Sequence, residues 1–168
     1  MNRTTAHRIA PTVLLTIAAL VVAAAALASS SAGSQVRLRK TSLGSILVNT
    51  KGRTLYLFMK DKPGKSSCSG ACAANWPPYL TTGRPTAGPG IKASLLGTTK
   101  RSDGKLQVTY ARHPLYMFKF DAGPGSTRGE NVEAFGAEWY VLSANGVKVE
   151  PKPKTTTTTT TTTGGGYG

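Results

Sequence analysis

The chain has 168 residues, with 21 Lys and Arg against 7 acidic residues and a formal net charge of +14. This length allows one domain with a modest core. The strong basic balance predicts attraction to anionic surfaces. Because no nucleic-acid-binding motif accompanies the charge, we expect no specific nucleic-acid site.

Residues 1–32 predict a secretory signal peptide. A basic start with Arg3 and Arg8 precedes the apolar run VLLTIAALVVAAAALA and then small residues, and cleavage after Ala28 or after Ala32 fits this layout. The run of about 16 apolar residues is shorter than the roughly 20 that a spanning helix needs, which favours a cleaved signal over a membrane anchor. No cysteine lies near the cleavage region, so we expect no N-terminal lipid anchor. Loss of the two arginines lowers the net charge from +14 to +12.

Residues 33–150 predict a β domain. Turn signals occur at Asn49–Gly52, Asp103–Gly104 and Asn145–Gly146, where Asn-Gly and Asp-Gly tolerate the positive φ angles of tight hairpins. No segment of the mature chain shows a convincing 3.6-residue period. The sequence therefore predicts a mainly β fold, as one small antiparallel β sandwich or barrel.

An internal repeat organises this domain. The segments TLYLFMKDKPGKS and PLYMFKFDAGPGS share Leu-Tyr-x-Phe-x-x-Asp before a Pro/Gly-rich turn, and a tryptophan follows each. We interpret them as two related repeats, at about 43–80 and 95–147, each with a strand that carries apolar side chains on both faces. We assign structural roles to the motif residues, which are Tyr56, Phe58, Asp61 and Trp76 in the first copy and Tyr116, Phe118, Asp121 and Trp139 in the second.

The aromatic residues of this motif are expected in the core, since large aromatics in a small β domain usually pack there. Asp61 and Asp121 stand just before their turns, where a carboxylate can accept hydrogen bonds from the following backbone N–H groups. Acid/base work or cation binding by these two carboxylates is the alternative that we favour less.

Both cysteines lie in CSGACAANWPP. Two lone cysteines outside the cytoplasm usually pair, so Cys68 and Cys72 predict a disulfide that pins the segment presenting Trp76. A redox-active pair stays open as an alternative. A metal site built from the cysteines, His113 and Met117 is the weakest hypothesis, and haem attachment fails because no histidine follows Cys72 directly.

No catalytic constellation can be argued from the single histidine that remains after processing. We therefore predict a protein that is not an enzyme and has no cofactor and no metal. Residues 151–168, PKPKTTTTTTTTTGGGYG, have almost nothing apolar to bury, so we predict a disordered Thr/Gly-rich tail. Its threonines could carry O-linked sugars or act as a spacer.

These residues together resemble the bacterial "secreted repeat of unknown function", described as predicted lipoproteins with a Y-x-(F/W/Y)-x-x-D motif. The resemblance rests on Tyr56-x-Phe58-x-x-Asp61, Cys68-x-Gly70-x-Cys72, Trp76-Pro77-Pro78, Tyr116-x-Phe118-x-x-Asp121, Phe135-Gly136 and Trp139. It implies an envelope or extracellular setting and supplies no activity. Many relatives carry an N-terminal lipid cysteine, which this chain lacks.

The sequence thus predicts a secreted or cell-surface-associated, non-enzymatic β domain. Its expected partner is an anionic cell-wall polymer or lipid surface. The alternative is an envelope redox or electron-transfer accessory protein that uses the pair Cys68 and Cys72.

Overall fold

The computed structural model of the protein describes Met1 and residues 33–150. The predicted signal peptide and the predicted Thr/Gly-rich tail lie outside these residues. Within the described part of the chain, no helix combines the length and apolar character that crossing a bilayer requires.

Ten short strands and one short helix follow one another along the domain. In chain order they are β1 (Gln35–Thr41), β2 (Gly44–Val48), β3 (Tyr56–Phe58), α1 (Ala71–Asn75), β4 (Leu80–Thr81), β5 (Thr86–Ala87), β6 (Leu96–Lys100), β7 (Leu106–Tyr110), β8 (His113–Pro114), β9 (Val132–Ala134) and β10 (Ala137–Val141). A single 3-10 turn at Ala93–Leu95 leads into β6. The prediction of a mainly β fold is confirmed.

The strands form three small sheets and not one continuous one. Their orders are β2-β1-β5, β3-β10-β9 and β4-β7-β6, with β8 paired to β7. The pairings are antiparallel, as predicted, except that β1 runs parallel to β5 through Gln35 and Val36. The described sheets do not close into a barrel.

The three turn signals all coincide with turns. Asn49 fixes the first, because its Oδ1 accepts the backbone N–H groups of Lys51 at 2.9 Å and Arg53 at 3.0 Å. Gly146 has a φ of 74° in the last turn, and a Cβ at this position would lie 2.3 Å from the Cβ of Ala111. Glycine is therefore required there by both conformation and space.

The core divides into two clusters that meet at the two copies of the motif. The first copy forms β3, whereas the second, also predicted as a strand, makes only isolated bridges at Tyr116. The first cluster contains Leu55, Leu57, Leu115 and Leu142 together with Tyr79, Tyr110 and Tyr140, whereas the second contains Tyr56, Phe58, Cys68, Cys72, Trp76, Tyr116, Trp139 and Val141. Alternate side chains of a strand point to opposite faces, so β3 sends Leu57 to one cluster and the rings of Tyr56 and Phe58 to the other. The motif strand is buried on both faces, which explains why the sequence shows no polar alternation there.

Candidate functional site

The two copies of the motif meet at a symmetric crossing. The backbone N–H of Tyr56 donates to the carbonyl of Tyr116 at 2.8 Å, and the N–H of Tyr116 donates back to Tyr56 at 3.0 Å. The bridge is antiparallel, so equivalent positions of the two copies are related by an approximate twofold rotation. A contact made by one copy is therefore expected a second time with the roles exchanged.

The tyrosine and aspartate of the motif show this exchange. The hydroxyl of Tyr56 donates to the Asp121 carboxylate, 3.0 Å from Oδ2. The hydroxyl of Tyr116 donates to Oδ2 of Asp61 at 2.6 Å. Each tyrosine is thus satisfied by the aspartate of the other repeat, and the two tyrosine–aspartate pairs join the halves of the domain.

Each aspartate also holds its own turn. Asp61 accepts the backbone N–H of Ser67 at 2.7 Å and its hydroxyl at 2.8 Å. Asp121 accepts the backbone N–H of Arg128 at 3.0 Å and the hydroxyl of Ser126 at 3.1 Å. The turn role is the one that the sequence suggests. The bond to the opposite tyrosine is not predicted by it, and the only signal is that Tyr and Asp recur together in both copies.

Burial sets the protonation of these pairs. It is the main cause that raises the pKa of Asp61 and Asp121 above the usual aspartate value, while the hydrogen bonds from Tyr116 and Tyr56 act in the opposite direction. Burial, followed by the neighbouring carboxylate, raises the pKa of both tyrosines above the ordinary phenol value. At neutral pH both phenols are therefore protonated hydrogen-bond donors.

Four aromatic rings form a continuous stack beside the tyrosines. The ring centroids of Trp76 and Trp139 lie 3.9 Å apart, and the angle between the two ring planes is 4°. Phe58 stacks on the outer face of Trp139 at 4.1 Å and 8°, and Phe118 stacks on Trp76 at 4.1 Å and 27°. Each phenylalanine thus covers the tryptophan of the other repeat. We call these four rings the aromatic stack.

The two tyrosines contact the aromatic stack with their ring edges. Tyr56 meets Trp76 at a centroid distance of 5.4 Å, and Tyr116 meets Trp139 at 5.1 Å. Both contacts are near perpendicular, the arrangement that the charge distribution of aromatic rings favours. The structure therefore brings all eight predicted motif residues into one assembly, in which Asp61 and Phe118 are half-buried and the other six are buried.

The predicted disulfide is present between Cys68 and Cys72. The two residues are only 1% and 7% exposed, and α1 carries the chain from the disulfide to Trp76. The buried guanidinium of Arg101 donates to the carbonyl of Cys68 at 2.7 Å and to the hydroxyl of Ser66 at 2.9 Å. Such burial favours a structural role, because thiol–disulfide exchange requires access to the sulfur atoms.

The metal site considered from the sequence lacks two of its proposed ligands, because Cys68 and Cys72 are bonded to each other. The disulfide occupies the sulfur atoms of both cysteines, and the residues that the structure describes contain no group of three or more His, Cys, Asp or Glu placed to hold a metal ion. His113 is half-buried, and burial lowers its pKa below the usual histidine value.

An open groove of about 1300 Å³ lies on the surface of the domain. Four cationic residues line it, namely Lys51, Arg53, Lys105 and Lys119. Among the described residues that line it, none is acidic, and Ser34 and several threonines add hydroxyl groups. The guanidinium of Arg53 is anchored in the wall by a 2.9 Å hydrogen bond to the carbonyl of Phe118.

The groove adjoins the aromatic stack through the chain itself. Pro77 lines the groove and directly follows Trp76, while Met117 and Lys119 line it on either side of Phe118. The amide of Asn49 packs on Met117, with 3.4 Å between Nδ2 and Sδ. One end of the stack is thus next to the groove wall.

None of the described acidic side chains lines the groove. All 7 acidic residues lie in 33–150, and four of them, Asp61, Asp103, Asp121 and Glu130, accept hydrogen bonds within the domain. The groove cations come from separate parts of the chain, so the sequence indicates only the overall charge and carries no local signal of a site.

Comparison with protein families identifies the chain. The family model described as a secreted repeat of unknown function matches residues 38–79 and 97–143, together more than half of the chain. The two matched segments correspond to the two copies of the motif, and the chain belongs to this family. No curated protein and no solved structure matches the chain.

Proposed function

We propose that this protein is a non-enzymatic secreted or cell-surface domain that binds an anionic cell-wall polymer in the cationic groove. The observation that carries this function is the set Lys51, Arg53, Lys105 and Lys119 around one concavity whose described lining contains no carboxylate. The secreted character of the family supports the location.

Concave shape and charge act together in this proposal. A cleft lined by charge of one sign focuses the potential and raises the local concentration of an oppositely charged partner. The exposed lysines provide screened, adjustable attraction, whereas the anchored guanidinium of Arg53 can offer its donors to a phosphate or carboxylate in a fixed direction.

The shape also favours a polymer over a membrane. A flat lipid surface touches convex parts of a protein first, whereas the four groove cations line a recess. An extended polyanion can enter an open groove and contact the cations and hydroxyl groups along it. A soluble polymer is therefore the partner to which the proposal commits.

The test compares two variants with the same change in net charge. Lys51→Glu/Lys119→Glu reverses two groove cations, whereas Lys62→Glu/Lys65→Glu reverses two lysines outside the groove. Binding of the mature protein to poly(glycerol phosphate) is measured by fluorescence anisotropy between about 50 mM and about 200 mM salt.

We expect the groove variant to lose about tenfold or more in affinity, with a shallower salt dependence, and the control variant to lose much less. An equal loss in both variants would show that net charge alone attracts the polymer and would contradict the groove. Absence of binding by the unchanged protein at low salt would end the proposal.

A further inference from the structure

We propose that the aromatic stack and its two tyrosine–aspartate pairs form a one-electron donor site that reduces an anionic oxidant held in the groove. The position of the oxidant rests on the proposed function. The donor site itself rests on the buried assembly alone, so the two can fail separately.

The ring contacts provide a continuous route for an electron. Tryptophan and tyrosine are the aromatic side chains that lose one electron most readily, and here two indoles overlap at 3.9 Å with almost parallel planes. Tyr56 contacts Trp76 and Tyr116 contacts Trp139 through their ring edges. Each tyrosine is therefore in direct ring contact with one indole, and no other group lies between donor and acceptor in that step.

Each aspartate can accept the proton that a buried phenol releases when it is oxidised. A phenol that loses an electron becomes a strong acid, so its proton must move at once. Tyr56 and Tyr116 are 0% exposed, and the carboxylate at the end of each hydrogen bond is the base that can take up the proton. Because burial raises the pKa of both aspartates, each is a better base than an ordinary carboxylate.

A third buried tyrosine lacks this arrangement. Tyr110 is also 0% exposed, but its hydroxyl donates to the backbone carbonyl of Ala144 at 2.7 Å. A carbonyl oxygen is a hydrogen-bond acceptor and a very weak base, so it cannot hold the proton. Tyr110 is therefore the matched control for the two motif tyrosines.

The groove supplies a place for the oxidant. Phe118 ends the aromatic stack between two groove residues, Met117 and Lys119. The ring of Phe120, which is 57% exposed, touches Phe118 edge-on at 5.4 Å. An anion attracted by Lys119 and Arg53 would thus lie near the backbone of Phe118, whose carbonyl accepts the Arg53 guanidinium.

The electron and the proton leave the phenol in different directions. One electron passes from Tyr56 through Trp76 and Phe118 to the oxidant, which is reduced by one electron. The O–H bond of Tyr56 breaks, and the proton forms a new O–H bond on Asp121. The products are a neutral tyrosyl radical, a protonated carboxyl group and the reduced anion. An external one-electron reductant reverses both transfers.

The experiment uses hexachloroiridate(IV), an anionic one-electron oxidant whose colour disappears on reduction. The full mature chain carries Tyr167→Phe throughout, so that the tyrosine near the end of the tail cannot contribute. Stopped-flow absorbance gives the rate, and freeze-quench electron paramagnetic resonance identifies the radical. The first comparison is between the background chain, Tyr56→Phe/Tyr116→Phe, and Tyr110→Phe, and the second is between Tyr116→Phe with and without Asp121→Asn.

We expect the background chain and Tyr110→Phe to give the same tyrosyl signal, and the double variant to lose it. Asp121→Asn in a Tyr116→Phe chain keeps an acceptor oxygen for Tyr56 but removes the base, so tyrosyl formation should slow by about 100-fold and folding should persist. Near-ultraviolet circular dichroism checks the fold of each variant. A tyrosyl signal that survives in the double variant, or a rate that Asp121→Asn leaves unchanged, would overturn the donor site.

A cationic oxidant, tris(bipyridine)ruthenium(III), separates the donor site from the groove. If both oxidants generate the radical on Tyr56 and Tyr116, and Lys51→Glu/Lys119→Glu leaves the hexachloroiridate rate unchanged, the donor site is supported and oxidant binding in the groove is refuted. If the lysine variant weakens polymer binding but the radical lies elsewhere, the groove stands and the donor site is overturned.

Discussion

The two repeats place equivalent tryptophans in one stack, but they reach that position by different local structures. In the first repeat the short helix α1, tied at its start by the disulfide, leads into Trp76. In the second repeat, the hairpin of β9 and β10 carries Trp139, whose indole N–H donates to the carbonyl of Ala134 at 3.2 Å.

This difference indicates which structural feature is common to the two copies of the motif. The five-residue strand β10 is ordered by backbone hydrogen bonds to its neighbours, whereas a five-residue helix is too short to be stable alone. The disulfide supplies the missing constraint in the first repeat. Ring position is therefore common to both repeats, and the scaffold that holds the ring is free to vary.

Removing either tryptophan should have the largest effect on stability. Trp76→Ala and Trp139→Ala each delete a buried ring from the middle of the aromatic stack, and we expect each to lower the free energy of unfolding by about 3–5 kcal/mol. Urea denaturation followed by circular dichroism measures this. A loss below about 1 kcal/mol for one of them would show that the two positions are not equivalent.

Removing a motif hydroxyl should have a smaller effect. Tyr56→Phe leaves the Asp121 carboxylate without its phenol donor, and Tyr116→Phe does the same to Asp61. We expect each to lower the free energy of unfolding by about 1.5–3 kcal/mol, since the lost bond is to a charged, partly buried group. Tyr110→Phe, whose partner is a carbonyl, should cost about 1 kcal/mol and serves as the control.

Removing the disulfide should affect the first repeat more than the second. Cys68→Ala/Cys72→Ala opens a short loop, and the expected loss is about 2 kcal/mol. Amide hydrogen exchange should accelerate more in 66–76 than in 132–141, where the backbone pairing of β9 with β10 helps to hold Trp139. Faster exchange in both segments to the same degree would contradict the separate scaffolds.

The pH dependence should show the smallest effect and can compare the two aspartates. Their pKa values are raised above 3.8 in the folded domain. The stability they contribute is therefore complete below pH 3.8 and is lost as the pH rises through the raised values. His113, with a pKa lowered from 6.5, contributes stability above pH 6.5 that is lost as the pH falls through its folded value.

Asp61→Asn and Asp121→Asn should each flatten the fall in stability with rising pH above 3.8, and by similar amounts. Urea midpoints measured from about pH 4 to about pH 7 test this. Glu130, whose pKa burial also raises, keeps its part of the slope in both variants. A profile that only one of the two substitutions changes would show that the carboxylates differ despite their matching contacts.

Much of the fold could be predicted because its signals are local. Asn-Gly and Asp-Gly mark turns through their backbone preferences, and two cysteines four positions apart can reach each other without help from the rest of the chain. The helix α1 could not be predicted because five residues are too few to show a 3.6-residue period. The parallel pairing of β1 with β5 depends on distant segments and has no local mark.

The site was harder to predict because its contacts join residues that are far apart in sequence. The bond between Tyr56 and Asp121 joins residues 65 positions apart, and nothing in either copy of the motif tells which aspartate its tyrosine will meet. The groove cations likewise come from segments far apart in sequence, so that only the folded domain brings Lys51 and Lys119 to one surface.

The reciprocal pairs carry a consequence for the ancestry of the fold. A chain with one copy of the motif would hold an aspartate and a tyrosine that cannot satisfy each other, together with half of a stack. Two such chains could complete one another across a twofold axis, as in a symmetric homodimer. Gene duplication followed by fusion would then convert that dimer into the present single-chain domain. The contacts between the two repeats would correspond to the former contacts between subunits.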